Sequence, residues 1–504
     1  MFNASKLAIQ LDRDGEEPIY RQLIRHIRAQ VESGVLQAGT RLPASRDLAQ
    51  QLNISRISVV NAYAELRAEG FLSAHAGRGT FIAGDNHGNG NGHGHTYTSP
   101  SSNTNIDLPS APDRSIRDMM RMARKPGVIS FANGAPPNDF FPITHVKDAI
   151  NTVLERDGAQ ALAYEMPEGY QPLRLAIRDY VSGLGIRCHP EQVLVTGGTQ
   201  QALDLVVQAL LSEGDLMVTE NPTYLGMIDI ARTRRVQVHG IDVDQDGIRL
   251  DLLENFVLET RPKLIYVMPT FHNPTGAVMP LHRRRQLINL AAEHRIPILE
   301  DGVYHELRFE GDSLPPLKAL DENGIVIHAS AFTKMMLPGM RIGYVVSDNT
   351  HYERLLRVKQ AADISSPSLN QRTMHLLLER GVMSQQLMWN NRELKRRRDV
   401  ALVAAHKYLP PGTRWNRPQG GLYLWAQFPT NGPTATEVYI TAIQMGAAYA
   451  IGNVFYTDNS GNYRIRLNYA VHKPFDIEEG FKRIGRAWRD VACEYDEIEK
   501  LPLL

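Results

Sequence analysis

Lys334 lies in "SAFTKMMLPGMRIGYV" (residues 330–345), between a small polar run and a Pro-Gly turn, with Arg341 seven residues on. A lysine in such a setting suits a Schiff base with a cofactor aldehyde, and a nearby arginine suits that cofactor's phosphate. Other residues point the same way. In "ILEDGVYHE", Asp301 ends an apolar run and Tyr304 follows three residues later. A carboxylate facing a ring nitrogen would keep it protonated and make the ring an electron sink. In "PTFHNPTG", Asn273 precedes a proline, in a turn whose side-chain amide can donate to an oxygen. "TGGTQQALDL" opens a helix at Thr199 after two glycines, where backbone N–H groups and a hydroxyl make an anion site. "ENPTYLG" offers Tyr224 as a ring to cover a flat cofactor. Each of these features alone is commonplace; their order along one chain is what carries weight.

Elements must place these residues together. From about residue 110, apolar β-rich runs alternate with helical patterns. "QVLVTGG" leads into "TQQALDLVVQALL", "DLMVTE" into "TYLGMIDIARTR" and "KLIYVMP" into "RRRQLINLAAEH"; "IPILED" and "IVIHASAF" follow. This alternation predicts an α/β fold with a mainly parallel sheet covered on both faces, its ligands beyond the carboxyl ends of the strands.

The first eighty residues read differently. In "PIYRQLIRHIRAQVESG", Ile19, Leu23, Ile27 and Val31 recur every four residues, predicting an amphipathic helix that ends near Gly34. "SRDLAQQLNIS" predicts a short helix capped by Ser45, with Leu48, Ala49 and Leu52 inward. Ser55 caps a second, "RISVVNAYAELRAEG", and "FLSAHAGRGTFI" predicts two strands around a glycine turn. Together these describe a winged helix-turn-helix, whose second helix puts its N-terminal residues into the major groove. Arg56 and Ser58 occupy that end and Asn61 lies one turn on. Arg46 is placed to reach phosphate, and Arg78 at the wing tip to enter the minor groove.

Composition sets bounds. The chain has 504 residues and a formal net charge of zero, so as a whole it advertises neither a nucleic-acid nor a membrane partner. Residues 1–82 carry ten Lys/Arg against eight Asp/Glu, which neither supports nor excludes DNA binding. Cys188 and Cys493 are too few and too distant for a disulfide framework or a thiolate metal site. No run approaches the ~18 apolar residues of a spanning helix, and no signal-peptide pattern is present, so a cytoplasmic protein is expected. Residues 84–105, "GDNHGNGNGHGHTYTSPSSNTN", bury too little apolar surface to order and read as a linker. His87, His93 and His95 are incidental to it, and no metal is expected. The basic run "RELKRRRD" at 392–399 reads as a solvated helix face. The expected organisation is a winged helix-turn-helix domain over 1–82, a linker over 83–110 and an α/β domain over 111–504.

Two resemblances extend these readings. Residues 18–82 resemble the GntR-type DNA-binding domain through G-x-L-x-x-G-x-x-L-P-x-S-R-x-L-A, S-R-x-x-V, A-Y-x-x-L and the wing G-x-G-T-F. That likeness implies DNA contacts at Arg46, Ser55, Arg56 and Arg78. Residues 125–490 are similar to fold-type I, class I/II aminotransferases, from "ISFANGAPPNDFFP" and "YEMPEGYQPLRLAIRDYV" through NPTG and ED-x-x-Y-x-E to K-x-x-x-P-G-x-R-x-G-Y. This second likeness implies pyridoxal 5′-phosphate, with Lys334 its Schiff-base residue (an aldimine) and Asp301 its pyridinium partner. It further implies Asn273 and Tyr304 on the ring hydroxyl, Tyr224 against the ring, and Thr199, Gln200, Thr333 and Arg341 on the phosphate. Tyr164 would reach the phosphate of a second subunit in a homodimer. Arg466, in "YRIRLNYA", would clamp an effector carboxylate beside Gly134. Ala331 departs from the pattern, which often has a phosphate-binding serine there.

The combined architecture resembles MocR-type transcriptional regulators, whose body senses the cofactor, often with an amino compound, while the head binds operator DNA. A catalytically active aminotransferase with an incidental N-terminal extension is the competing reading, since every residue for a first half-reaction is present.

Overall fold

The computed structural model describes residues 11–12, 19–32, 35–36, 39–52, 54–68, 71–75, 79–82, 123, 126–458 and 460–499. Arg78 and the linker over 83–110, with its histidines, lie outside these residues. The chain divides into two compact units, Met1–Pro126 with Asp496–Leu504, and Gly127–Tyr495.

In the first unit, the four-residue apolar spacing forms α1 (Ile19–Glu32), which buries Leu23 and Ile27 completely. Next, α2 (Ser45–Leu52) buries Leu48 and Ala49, and α3 (Arg56–Ala68) buries Val59, Ala62, Tyr63 and Leu66 against the same core. The Ser55 hydroxyl accepts from the Ser58 backbone N–H at 3.0 Å, so Ser55 caps α3 as its residue type favours. Ser45, expected as the cap of α2, is instead its first helical residue. Strands β1 (Leu72–His75) and β2 (Gly79–Ile82) pair antiparallel, and Leu72 and Ile82 close onto the helices. This is the winged helix-turn-helix.

The second unit is built on an eight-stranded sheet: β3 (Val193–Thr196), β4 (Leu216–Asn221), β5 (Gln237–Asp244), β6 (Gly247–Ile248), β7 (Leu264–Val267), β8 (Ile298–Asp301), β9 (Val326–Ala331) and β10 (Gly343–Val346). The strand order is β3-β10-β9-β8-β7-β4-β5-β6. From β9 across to β5 all pairs are parallel; β10 runs against both its neighbours and β6 turns back on β5. Strands β3, β7, β8 and β9 are buried at every residue, as expected where helices cover both faces. One apolar cluster joins Ile177, Val195, Tyr344 and Met374; another joins Val218, Leu253, Ile265 and Leu287. A smaller antiparallel sheet comprises β11 (Arg414–Trp415), β12 (Tyr423–Gln427), β13 (Ala450–Ile451) and β14 (Arg464–Asn468), in the order β11-β12-β14-β13.

The basic run corrects one expectation. It falls on the long helix Val382–Tyr408, and Arg392 and Arg396 are exposed, but Arg397 is only 2% and Arg398 0% exposed. Arg397 donates to Asp139 and to the Ala470 carbonyl, each at 2.6 Å, and Arg398 pairs with Glu310 at 2.5 Å. A helix presents successive residues to different faces, so one charge run serves both solvent and core. No helix among the described residues is long and apolar enough to cross a membrane, and both cysteines are free.

Candidate functional site

The carboxyl ends of β3, β4, β8 and β9 converge on the residues singled out above. Asp301 is the last residue of β8 and is 2% exposed. Its oxygens accept from the Tyr266 hydroxyl at 3.1 Å and the Val303 N–H at 3.2 Å. Burial is the dominant influence and raises its pKa to about 6. A carboxylate held there, with hydroxyl and amide donors only, gains from a cationic ring nitrogen.

Lys334 follows β9, and its Nζ donates to the Gly134 carbonyl at 2.7 Å. Burial lowers its pKa, which enlarges the neutral, nucleophilic fraction. Tyr304 is buried, and its hydroxyl lies 2.8 Å from that of Tyr423. Asn273 is buried in the turn after β7, and its Oδ1 accepts from Arg466 Nη1 at 2.8 Å. The other arm of Arg466 donates to the Ala132 carbonyl at 2.8 Å. Its guanidinium carbon lies 4.3 Å from the Tyr423 ring centre and 4.7 Å from that of Phe455. Close packing of a charged group against two aromatic rings suits arginine better than lysine.

The anion end forms at the helix Thr199–Leu210. Gly198, its N-cap, has φ +102°, and a Cβ there would sit 2.8 Å from Arg341 Nη2. Only glycine accommodates both the backbone angle and the guanidinium. Arg341 itself is left-handed, at φ 53°. The Thr199 and Thr333 hydroxyls are enclosed yet have no hydrogen-bond partner, and the same holds for Arg466 Nε. Tyr224 donates to Gln200 at 2.9 Å along the same rim. Ala331 ends β9 fully buried. Unpaired hydroxyls beside an arginine and a helix N-terminus fit a phosphate, so the residues present suit a phosphorylated aldehyde cofactor.

Tyr164 is not part of this cluster; it is 84% exposed. In the first unit, Arg46 and Arg56 are exposed near the starts of α2 and α3. Ser58 bonds the Ser55 hydroxyl at 2.9 Å, so both serines are engaged in the cap. Asn61 is half-buried, with its Oδ1 enclosed and unpaired. Sequence reading missed Tyr266, Tyr423 and Phe455. Tyr266, a lone hydroxyl in the aliphatic run "KLIYVMP", was a visible signal; the other two had none beyond aromatic character.

The parallel sheet, the half-buried lysine and the buried carboxylate at a strand end define the fold-type I class of pyridoxal-phosphate proteins. The chain belongs to the aminotransferase class I and II family, whose pattern matches residues 126–484, and residues 19–82 match the bacterial regulatory proteins of the gntR family. The fusion is the MocR-type architecture. The chain is 29% identical to the HTH-type transcriptional regulator YdfD of Bacillus subtilis, over 94% of this chain and 97% of that one. It is 32% identical to the probable rhizopine catabolism regulatory protein MocR of Rhizobium meliloti, over 71% and 73%. Among solved structures, LysN, the α-aminoadipate aminotransferase of Thermus thermophilus complexed with N-(5′-phosphopyridoxyl)-L-leucine, aligns with a TM-score of 0.70 at 33% identity, covering 75% of this chain and 95% of that one. Pyridoxal 5′-phosphate is the cofactor of this family.

Proposed function

We propose that this protein is a DNA-binding transcriptional regulator whose aminotransferase-like body senses pyridoxal phosphate, an amino compound, or both. The observation that carries the reading is the presence on one chain of a capped helix with an exposed Arg56 at its start and a site that brings a half-buried Lys334 together with the buried Asp301. When bound, the cofactor supplies an aldehyde that condenses reversibly with amines and a ring that takes up electron density.

The chain's own residues then have separable tasks. Lys334 presents its amine, Asp301 holds the proton on the ring nitrogen, and Asn273 and Tyr304 orient the ring's oxygen substituent. Tyr224 covers the ring face. Thr199, Gln200, Thr333 and Arg341 hold the phosphate, with Tyr164 reaching that of a partner subunit in a homodimer. Arg466 grips an effector carboxylate beside Gly134 in a two-pronged fashion. Arg46, Ser55, Arg56, Ser58, Asn61 and Arg78 form the DNA-facing set, with operator DNA as the partner. An effector moves DNA binding only by its differential affinity for two arrangements of the protein.

A second reading, a working aminotransferase, is favoured by the same complete set and by the phosphopyridoxyl-leucine complex of the LysN relative. Full-length protein titrated with pyridoxal phosphate should develop a visible absorption band. A panel of amines should shift both that band and retardation of the DNA upstream of the gene. Lys334→Ala should lose the band and keep DNA binding; an unchanged spectrum would sink the sensor. Sustained conversion of amino to keto acid without any effect on DNA would establish the enzyme instead.

A further inference from the structure

Tyr423 links Arg466 to Tyr304 and Gly134. It begins β12, which pairs with β14 so that Trp425 faces Arg466 and Tyr423 faces Asn468. Alternation along strands puts Tyr423 and Arg466 on one face of the small sheet. The Tyr423 ring lies 4.3 Å from the Arg466 guanidinium carbon. Its hydroxyl is 2.8 Å from the Tyr304 hydroxyl and 3.4 Å from the Gly134 carbonyl, which also receives Lys334 Nζ at 2.7 Å. A Cβ at Gly134 would lie 3.1 Å from the Tyr423 hydroxyl, so the missing side chain is what admits this approach.

We propose that Tyr423 is a positioning residue that reports the state of Lys334 to the ring-binding Tyr304, by switching its single proton between Tyr304 and the Gly134 carbonyl. This rests on the cofactor reading above. With Lys334 on Gly134 at 2.7 Å, the carbonyl already has a close donor and Tyr423 stands off from it at 3.4 Å, which leaves the Tyr423 proton for Tyr304 at 2.8 Å. Tyr304 then has its own proton free for the ring's oxygen substituent. When the lysine is engaged by the cofactor, the half-buried Gly134 carbonyl loses a donor. Tyr423 is in place to supply one. It then accepts from Tyr304, and the ring oxygen loses that hydrogen bond. An amine that releases Lys334 restores the first arrangement. Two hydroxyl rotations accomplish the switch, with no net proton transfer.

The titratable groups around Tyr423 are Tyr304, Tyr224 and Tyr469, with Lys334 and Arg466 the cations. Burial, and secondarily the Tyr423 hydroxyl beside it, raises the Tyr304 phenol well above its ordinary value.

The test uses full-length protein loaded with pyridoxal phosphate, reading the pH midpoint of its visible absorption. Tyr423→Phe keeps the ring against Arg466 and removes the proton switch. Tyr304 is left with the ring oxygen as its acceptor, and stabilising that oxygen's anionic form lets the proton between cofactor and Lys334 leave at lower pH. The midpoint should fall by about half a unit or more, since each unit corresponds to about 1.4 kcal/mol. Gly134→Ala, which crowds the hydroxyl off the carbonyl, should move it the same way. Adding methylamine should shift the midpoint less in Tyr423→Phe than in the wild type. If the wild type titrates and both variants keep its midpoint, or raise it, the switch is overturned while the cofactor reading stands. A wild type without a visible band overturns both.

Discussion

In the head, the residues proposed to meet DNA cluster near helix starts: Arg56 begins α3 and is exposed, and Ser55 caps it from the adjacent position. In the body, the central residues of the site lie inside, while Gln200 and Arg341 at its rim are exposed. Asp301 is 2% and Arg466 6% exposed, and their neighbours arrive from far along the chain. Lys334 meets Gly134 across 200 positions, and Arg466 meets Asn273 across 193. The head's surface can therefore change one residue at a time, losing only what that residue contacts. In the body, removing one group strands its partner in a place water does not reach, and the stranded partner is the larger cost.

Asp301→Asn should be the most damaging of three substitutions that probe this contrast. Losing a buried charge-assisted hydrogen bond is worth about 1.5–3 kcal/mol, roughly 10- to 150-fold in cofactor affinity, measured by absorbance titration. The same carboxyl has a pH signature in cofactor-free protein. Its folded pKa of about 6 exceeds its ordinary 3.8, so its contribution to stability is complete below about 4 and is lost as pH rises toward 6. Thermal unfolding of the wild type should lose more stability across that window than that of Asp301→Asn. Groups that do not feel Asp301 cancel in the difference, and Glu220, pushed up chiefly by burial and in part by the Asp301 charge, contributes in the same direction. Equal slopes would show that Asp301 keeps its ordinary pKa.

Arg56→Ala in the head should weaken operator binding by about 1–3 kcal/mol if the guanidinium reads a base, with unrelated DNA little affected. Equal loss on every sequence, with a shallower salt dependence, would make it a phosphate contact. The smallest effect is a gain. Ala331→Ser adds a hydroxyl at the buried end of β9, two residues before Thr333 with its unpaired hydroxyl, and should tighten cofactor binding by about 0.5–1.5 kcal/mol. Weaker binding would show that the added oxygen finds no acceptor or donor there.

Periodicity located the elements well because each element solves its burial problem locally. The four-residue spacing of Leu23 and Ile27 is α1, and the unbroken apolar runs are the central strands. Asp301 and Lys334 were legible for a related reason: a charge that closes an apolar run, or a lysine just beyond one, stands out without any knowledge of its neighbours. Arg397 and Arg398 were not, since the same charge run looks solvated until Asp139 and Glu310 are brought against it.

By itself, then, the sequence determined the two-part organisation, the strand ends on which the site stands and the chemical types gathered there. Tertiary structure alone decided that Tyr266 backs Asp301, that Tyr423 and Phe455 enclose Arg466, and that Gly134 serves Lys334. Those pairings join segments whose separation in the chain carries no local signature; only the packing of the small sheet's strands and of the main sheet's carboxyl ends sets their distances.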